Sequence, residues 1–235
     1  MVTAELSFEE NFCFIFDLDG VLVSTAIHHA VAWSRSLEQL RIEYKSGDVE
    51  RTRGMSRRAS AQSLLHNSGH VTEQRISDLM EIKDSHYRSI VLNPNACLKF
   101  QRCDEILAGL KNFGFKLAVA SASKNAQEIL EKECLLKFFD YVSTGNFCGP
   151  AKPQPDQLID VAEKIKIKTE CCIVVEDSEN GIRAASSAGM WNISIGAHLK
   201  QNDRTILSFE SLDNIIIQDI KCLLHDLYKK MTIKK

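Results

Sequence analysis

From about residue 100 onward, short apolar runs rich in β-branched and aromatic residues alternate with stretches of helical periodicity. This alternation is the strongest constraint on the fold, because strands separated by helices are joined by βαβ crossovers into a parallel sheet. The strand-like runs are Phe12–Phe16, Phe115–Ala120, Phe139–Ser143, Cys171–Val175, Trp191–Ile195 and Asn214–Ile217. Between them, Arg102–Phe113 carries Ile106, Leu107, Leu110 and Phe113 at helical spacing, and Asn125–Leu135, Pro155–Lys166 and Gly181–Ala188 read as helices too. The expected fold class is α/β, with a parallel sheet flanked by helices. Ligands of such sheets sit in the crevice at the carboxyl ends of the strands.

The stretch from Ser24 to about Asn93 breaks this rhythm. It contains successive helical segments, among them one with Ala32, Trp33, Leu37 and Leu40 on a stripe and one with Ile76, Leu79, Met80, Ile82 and Lys83. An all-helical cap inserted after the first strand is expected over 24–93, with 1–23 and 94–235 forming the α/β core. The chain would cross between them near Val23–Ala26 and Leu92–Ala96, and the two crossings could act as a hinge.

With 235 residues, 44% hydrophobic and 26% charged, the chain can bury a core and stay soluble. A net charge of −2 offers no basic field for nucleic acid or an anionic membrane. Glu5, Glu9 and Glu10 near the start argue against a basic leader, and no apolar run approaches a membrane span. Of the eight cysteines, Cys13, Cys171 and Cys172 lie in strand-like runs, and no Cys-x-x-Cys occurs. Buried reduced thiols in a cytoplasmic protein fit better than a zinc site, and His66 and His70 flank a turn sequence rather than a metal helix. Lys229, Lys230, Lys234 and Lys235 are expected in a solvated tail.

Four segments carry potential chemistry. At the end of the first run, Asp17 and Asp19 are one residue apart and start out aimed to the same side, with Leu18 opposed and Gly20 permitting a sharp turn. That geometry suits a nucleophile beside an acid/base, or two ligands of a hard cation; solvated acids at a strand end explain the pair about as well. Ser121-Ala122-Ser123-Lys124-Asn125 follows the second core strand, where small hydroxyl residues can cap a helix or leave N–H groups for an anion. Lys152, held out of the helical region by Pro153, sits in a rigid loop and could neutralise a phosphate or simply be exposed. Glu176 and Asp177 close another apolar run, as metal ligands or as acids at a helix start.

Jointly these segments, all at strand ends, resemble the four motifs of the haloacid dehalogenase superfamily of aspartyl-phosphate phosphotransferases: Asp17-Leu18-Asp19-Gly20-Val21, Ser121, Lys152 and Glu176-Asp177. That resemblance spans nearly the whole chain and implies a Rossmann-like core with a helical cap. Within the superfamily the chain resembles the β-phosphoglucomutases, on Ala120 through Asn125, on Thr25, His29 and Trp33 at their spacing after the first motif, on Arg53-Gly54-Met55-Ser56-Arg57 with Ser60 beyond, and on Lys83.

The resemblance implies interconversion of β-D-glucose 1-phosphate and glucose 6-phosphate through an aspartyl-phosphate enzyme and a β-glucose 1,6-bisphosphate intermediate. Asp17 would be the nucleophile and Asp19 the general acid/base. Mg²⁺ would sit on Asp17, the backbone carbonyl of Asp19 and Asp177, with Glu176 in or near its shell. Ser121, Ala122 and Lys152 would hold the transferring phosphoryl oxygens. Lys124, Asn125 and Arg57 would bind the distal phosphate, while Thr25, His29, Trp33, Gly54, Ser60, Lys83 and Ser123 complete the expected substrate contacts. His29 and Lys83 would couple cap closure to Asp19. A monomer acting on small-molecule sugar phosphates is expected. The chain departs from the pattern at Ser24, where an acid is usual, at Lys99-Phe100-Gln101-Arg102, where a Pro-Gly turn is usual, and in the cap after Arg58. A sugar-phosphate phosphatase on the same scaffold is the first alternative. A catalytically silent binding protein is less consistent with the full set of motif acids and lysine.

Overall fold

The computed structural model describes residues 12–52, 55–66, 71–196, 202–220 and 222–224. Its centre is a six-stranded, all-parallel sheet in the order β3-β2-β1-β4-β5-β6. The strands are β1 (Cys13–Phe16), β2 (Lys116–Ala120), β3 (Tyr141–Ser143), β4 (Cys172–Glu176), β5 (Trp191–Ile195) and β6 (Thr205–Phe209). Every residue of β1 is buried, as expected for a strand covered on both faces. Phe14 and Phe16 enter one apolar cluster, where Phe14 meets Phe115 edge-on at 5.2 Å, and Cys13 and Ile15 enter the cluster on the other face. Each buried Phe, Ile or Leu here contributes about 1.5–3 kcal/mol.

The helices α5 (Cys103–Asn112), α6 (Ala126–Lys132), α7 (Asp156–Ile165) and α8 (Glu179–Ser187) connect the strands. On α5 the buried residues are Cys103, Ile106, Leu107 and Leu110; of the expected stripe, Phe113 caps the helix end and is half-buried. The strand order reverses beside β1: β2 and β3 extend to one side, then β4 returns to its other side. The ends of β1 and β4 therefore lie together where such sheets open their ligand crevice.

Two C-terminal expectations need correction. Asn214 to Ile217 is not a strand: Leu212–Asn214 form a 3-10 turn, Ile215 and Ile216 are irregular, and 217–220 are helical. Ile215 is buried whereas Ile216 is 55% exposed, so the isoleucine run plugs one gap instead of lining a sheet. The sixth strand is Thr205–Phe209, an edge strand mostly half-buried along its length, whose sequence lacks clean alternation. The lysine tail and the N-terminal glutamates lie outside the described residues, as do Arg53, Gly54 and His70.

The cap consists of α1 (Ala26–Gln39), α2 (Ser46–Glu50), α3 (Arg57–His66) and α4 (Glu73–Val91), with its own apolar cluster around Trp33, Leu37, Leu64, Leu65, Ile76 and Leu79. The buried residues of α4, Ile76, Leu79, Lys83, Tyr87 and Val91, follow one helical stripe, so Lys83 is a lysine on an otherwise mostly apolar face. Tyr87, Val91 and Ala32 belong to the core cluster, which fastens the cap to the sheet. Where the chain leaves and re-enters the core it pairs with itself: Val23 bridges Lys99, Ser24 N donates to Leu98 O at 2.8 Å, and Phe100 N donates to Leu22 O at 3.2 Å. Buried Glu133 accepts the Leu98 amide at 3.1 Å, tying the return crossing to the end of α6.

Candidate active site

Asp17 prolongs β1 by one residue, its amide donating to Val175 O at 2.9 Å in the same ladder that joins β1 to β4. The chain then folds back sharply: the amides of Leu22 and Val23 both reach Leu18 O, and Gly20 donates to Val23 O at 2.7 Å. Gly20 has φ +88°, and a Cβ there would lie 2.0 Å from Asp177 Oδ2. Glycine is therefore required twice over, for its backbone and for the approach of Asp177. Leu18, between the two acids, is fully buried.

Lys152 Nζ donates to Asp17 Oδ1 at 2.7 Å, to Glu176 Oε2 at 2.7 Å and to Ala120 O at 3.1 Å. One ammonium thus joins the ends of β1, β2 and β4. Burial alone would lower its pKa, but the two carboxylates outweigh that and hold it well above the ordinary lysine value. Burial raises the Asp17 carboxyl, with Glu176 and Asp19 adding to the rise and Lys152 opposing it. Burial leads the Asp17 rise, and the surplus of carboxylates over a single ammonium adds to it.

The remaining oxygens supply a place for a cation. Asp17, Glu176 and Asp177 each bring a carboxylate oxygen within 4.8 Å of the others. These are hard donors of the type Mg²⁺ takes, and a divalent charge would redress the imbalance. The Asp19 carboxylate is not part of this group and faces the cap. Glu176 is committed elsewhere as well, accepting at Oε1 from Ser178 N (3.1 Å) and Ser178 Oγ (2.8 Å). Ser178 also caps α8 through Gly181 N, and a Cβ on Gly181 would lie 1.9 Å from Glu176 Oε2.

The serine turn is built from inside. Ser121 is fully buried, its Oγ accepts from Ser123 N at 3.0 Å, and Ser123 Oγ accepts from Asn125 N at 3.3 Å. Buried Gln157 on α7 donates to Ser121 O, Ser143 Oγ and Thr144 O, at 3.1, 3.1 and 3.2 Å. It locks the turns after β2 and β3 together. Sequence reasoning missed Gln157, since its role exists only once three elements meet. Ala122 and Lys124 are exposed at this turn.

Asp19 receives its partners from the cap side. The Thr25 hydroxyl donates to Asp19 Oδ1 instead of capping α1, Tyr87 OH donates to the same oxygen at 3.3 Å, and His29 Nε2 lies 3.6 Å from it. Burial works against the Asp19 carboxylate, yet His29, Thr25 and Tyr87 together hold its pKa below the ordinary range. Tyr87 was not anticipated, although it lies one helical turn beyond Lys83. Its ring stacks on His29 at 4.1 Å, and burial beside Asp19 keeps its phenol protonated.

Lys83 Nζ lies 2.9 Å from His29 Nδ1, 4.2 Å above the Tyr87 ring and 5.5 Å from the Trp33 ring. Burial, then the Arg57 charge, lower its pKa to about 7. The unfolded chain therefore holds a proton on Lys83 that the fold gives up above pH 7, and this residue's contribution to stability rises with pH from there. We expect Lys83→Met to be the more stable protein at pH 7, with the difference narrowing by at most about 1.4 kcal/mol per pH unit toward pH 8.5. Higher pH brings in Cys103 and Cys172, whose thiols burial pushes up to about 12 and which act in the opposite sense. Urea unfolding of both proteins across this window checks it; a constant difference would show that Lys83 keeps its proton.

Arg57 opens α3 and its guanidinium lies 2.9 Å from Asp84, which also accepts from Asn125 Nδ2 at 3.0 Å. Ser60 is buried in α3 and its hydroxyl donates to Ser56 O at 3.0 Å. Gly54 lies outside the described residues. Arg88 grips the core, donating to Asn125 Oδ1 at 2.7 Å and to both carboxylate oxygens of Glu128 at 2.8 and 2.6 Å.

A parallel sheet whose switch point joins an aspartate, a lysine and an acidic pair, under a helical cap that reaches a second aspartate, defines a phosphoryl-transfer enzyme of the capped α/β type. A family profile described as haloacid dehalogenase-like hydrolase matches residues 14–195, and the chain belongs to that family. It is 33% identical over 187 residues to a β-phosphoglucomutase of Bacillus subtilis, covering 77% of this chain and 82% of that one. It is also 25% identical over 177 residues to the fructose-1-phosphate phosphatase YqaB of Escherichia coli, covering 75% and 92%. A crystal structure of β-phosphoglucomutase from Clostridium difficile superposes with a TM-score of 0.79 at 26% identity, covering 92% of this chain and 98% of the other. The chain is thus an enzyme of the sugar-phosphate phosphatase and mutase group. Among the described residues no helix is long and apolar enough to cross a membrane.

Proposed function

We propose that the protein is a Mg²⁺-dependent β-phosphoglucomutase acting, as a monomer, on small-molecule sugar phosphates. The observation that carries this reading is the set of cap-side groups on Asp19: Thr25, Tyr87 and His29 converge on its carboxylate, and Lys83 backs His29. A hydrolase needs only to deliver water; coupling the cap to the acid/base suits transfer to a bound sugar hydroxyl.

In this mechanism an Asp17 oxygen attacks the phosphorus of β-glucose 1,6-bisphosphate, forming an acyl phosphate as the sugar oxygen departs. Asp19 gives that oxygen its proton. In the return step, with glucose 6-phosphate released and β-glucose 1-phosphate bound in its place, Asp19 takes the proton of the 6-hydroxyl, which attacks the acyl phosphate, restores the Asp17 carboxylate and re-forms the bisphosphate. Lys152 and the serine turn hold the transferring phosphoryl oxygens. Mg²⁺, held by Asp17, the Asp19 backbone carbonyl and Asp177 with Glu176 beside them, would supply charge neutralisation. Thr25, Tyr87 and His29 orient the Asp19 carboxyl, and the cap excludes water from the acyl phosphate.

Millimolar Mg²⁺ is expected to raise the Tm of the wild-type protein, with Asp177→Ala abolishing the rise. Equal shifts in the two proteins would remove Asp177 from the metal site. The second reading, hydrolysis of sugar phosphates, has its own support: Asp84 already occupies Arg57 and weakens it as a site for a distal phosphate. A coupled assay for glucose 6-phosphate, primed with glucose 1,6-bisphosphate and run with the β and α anomers of glucose 1-phosphate in parallel, separates the two. Product from the β anomer is expected; inorganic phosphate without isomerisation would overturn the mutase reading.

A further inference from the structure

Asp84 of α4 holds a place that its neighbours equip for a larger anion. Its Oδ1 lies 2.9 Å from the Arg57 guanidinium of α3 and accepts from Asn125 Nδ2 of the core at 3.0 Å. Asn125 is itself 3% exposed and fixed by Arg88, which donates to its Oδ1 at 2.7 Å. Three elements, two of the cap and one of the core, thus meet on one carboxylate oxygen. Arg57 and Asp84 are 23% and 26% exposed, so the pair remains open to a ligand. A guanidinium can pair with phosphate as readily as with carboxylate, and it binds a second anion poorly while the first stays in place.

We propose that Asp84 is a specificity-determining residue whose carboxylate competes with the distal phosphate of a sugar bisphosphate for Arg57 and Asn125. The inference rests on the reading of Arg57 and Asn125 as the distal-phosphate pair. Asp84 selects against ligands charged at both ends and leaves those with a single phosphate, held at Asp17, untouched by the competition. The family-like donors are thereby present but partly cancelled, which sets the balance between mutase and hydrolase in this chain.

The test compares wild type, Asp84→Asn and Arg57→Ala by steady-state phosphate release from glucose 1,6-bisphosphate and from p-nitrophenyl phosphate, which carries no distal anion. The amide of Asp84→Asn keeps an acceptor in place and removes only the charge; Asp84→Ser carries the same expectation should that protein prove unstable. The ratio of the bisphosphate KM to the p-nitrophenyl phosphate KM is expected to fall about tenfold in Asp84→Asn, as removal of one competing charged contact predicts, and to rise in Arg57→Ala. A ratio that rises in Arg57→Ala but stays unchanged in Asp84→Asn overturns this inference alone. A ratio unmoved by either substitution overturns the placement of the distal phosphate, and the inference with it.

Discussion

Asp17→Asn should abolish phosphoryl transfer, with a loss on the order of 10⁴-fold or more in turnover. An amide in this position cannot form the acyl phosphate, and the neighbouring carboxylates are placed for other work: Glu176 is bound to Lys152 and Ser178, Asp177 closes against Gly20 in the cation group, and Asp19 faces the cap. The substitution also removes a charge from a place where burial raises the Asp17 pKa, so the fold should tolerate it. A folded, inactive variant that takes no phosphoryl label from glucose 1,6-bisphosphate is the expected result. Wild-type-like turnover would show that another group is the nucleophile.

Lys152→Met should damage both stability and activity. The ammonium is the shared partner of Asp17 and Glu176, and its side chain is only 10% exposed. Removing it leaves two buried carboxylates facing each other, a change that costs about 3–5 kcal/mol when one member of a buried ion pair is lost. Turnover on p-nitrophenyl phosphate should fall by roughly 10²–10³-fold, the usual scale for losing one donor to the transferring group. Urea unfolding and steady-state kinetics check the two effects separately. Unimpaired turnover would limit Lys152 to a structural role.

The parts of this molecule that could be read from its sequence are those whose meaning is local. Period-two alternation at Phe16 to Asp19 starts both acids toward one side; in the fold Asp17 meets Lys152 and Asp19 meets Thr25 and Tyr87 of the cap, a division that spacing does not carry. The rigid approach to Lys152 and the acids closing β4 are equally local signals. Gln157, Asp84 and Arg88 acquire their roles only across contacts between distant segments, so spacing could not single them out. Tyr87 stood within reach of spacing, one turn from Lys83, but the face that closes on Asp19 is decided by packing. At the C-terminus the apolar Ile215, Ile216 and Ile217 resemble a strand more than Thr205–Phe209 does, because an edge strand need not alternate when neither face is fully covered.

The central claim is that the phosphoryl group on Asp17 passes to a sugar hydroxyl in preference to water. The direct measurement is to label the enzyme with radioactive acetyl phosphate, mix it rapidly with β-glucose 1-phosphate, and follow where the label goes. The account predicts that most of it appears first in glucose 1,6-bisphosphate, and that Asp19→Asn blocks this transfer. Label released as inorganic phosphate at the same rate with or without the sugar would contradict it.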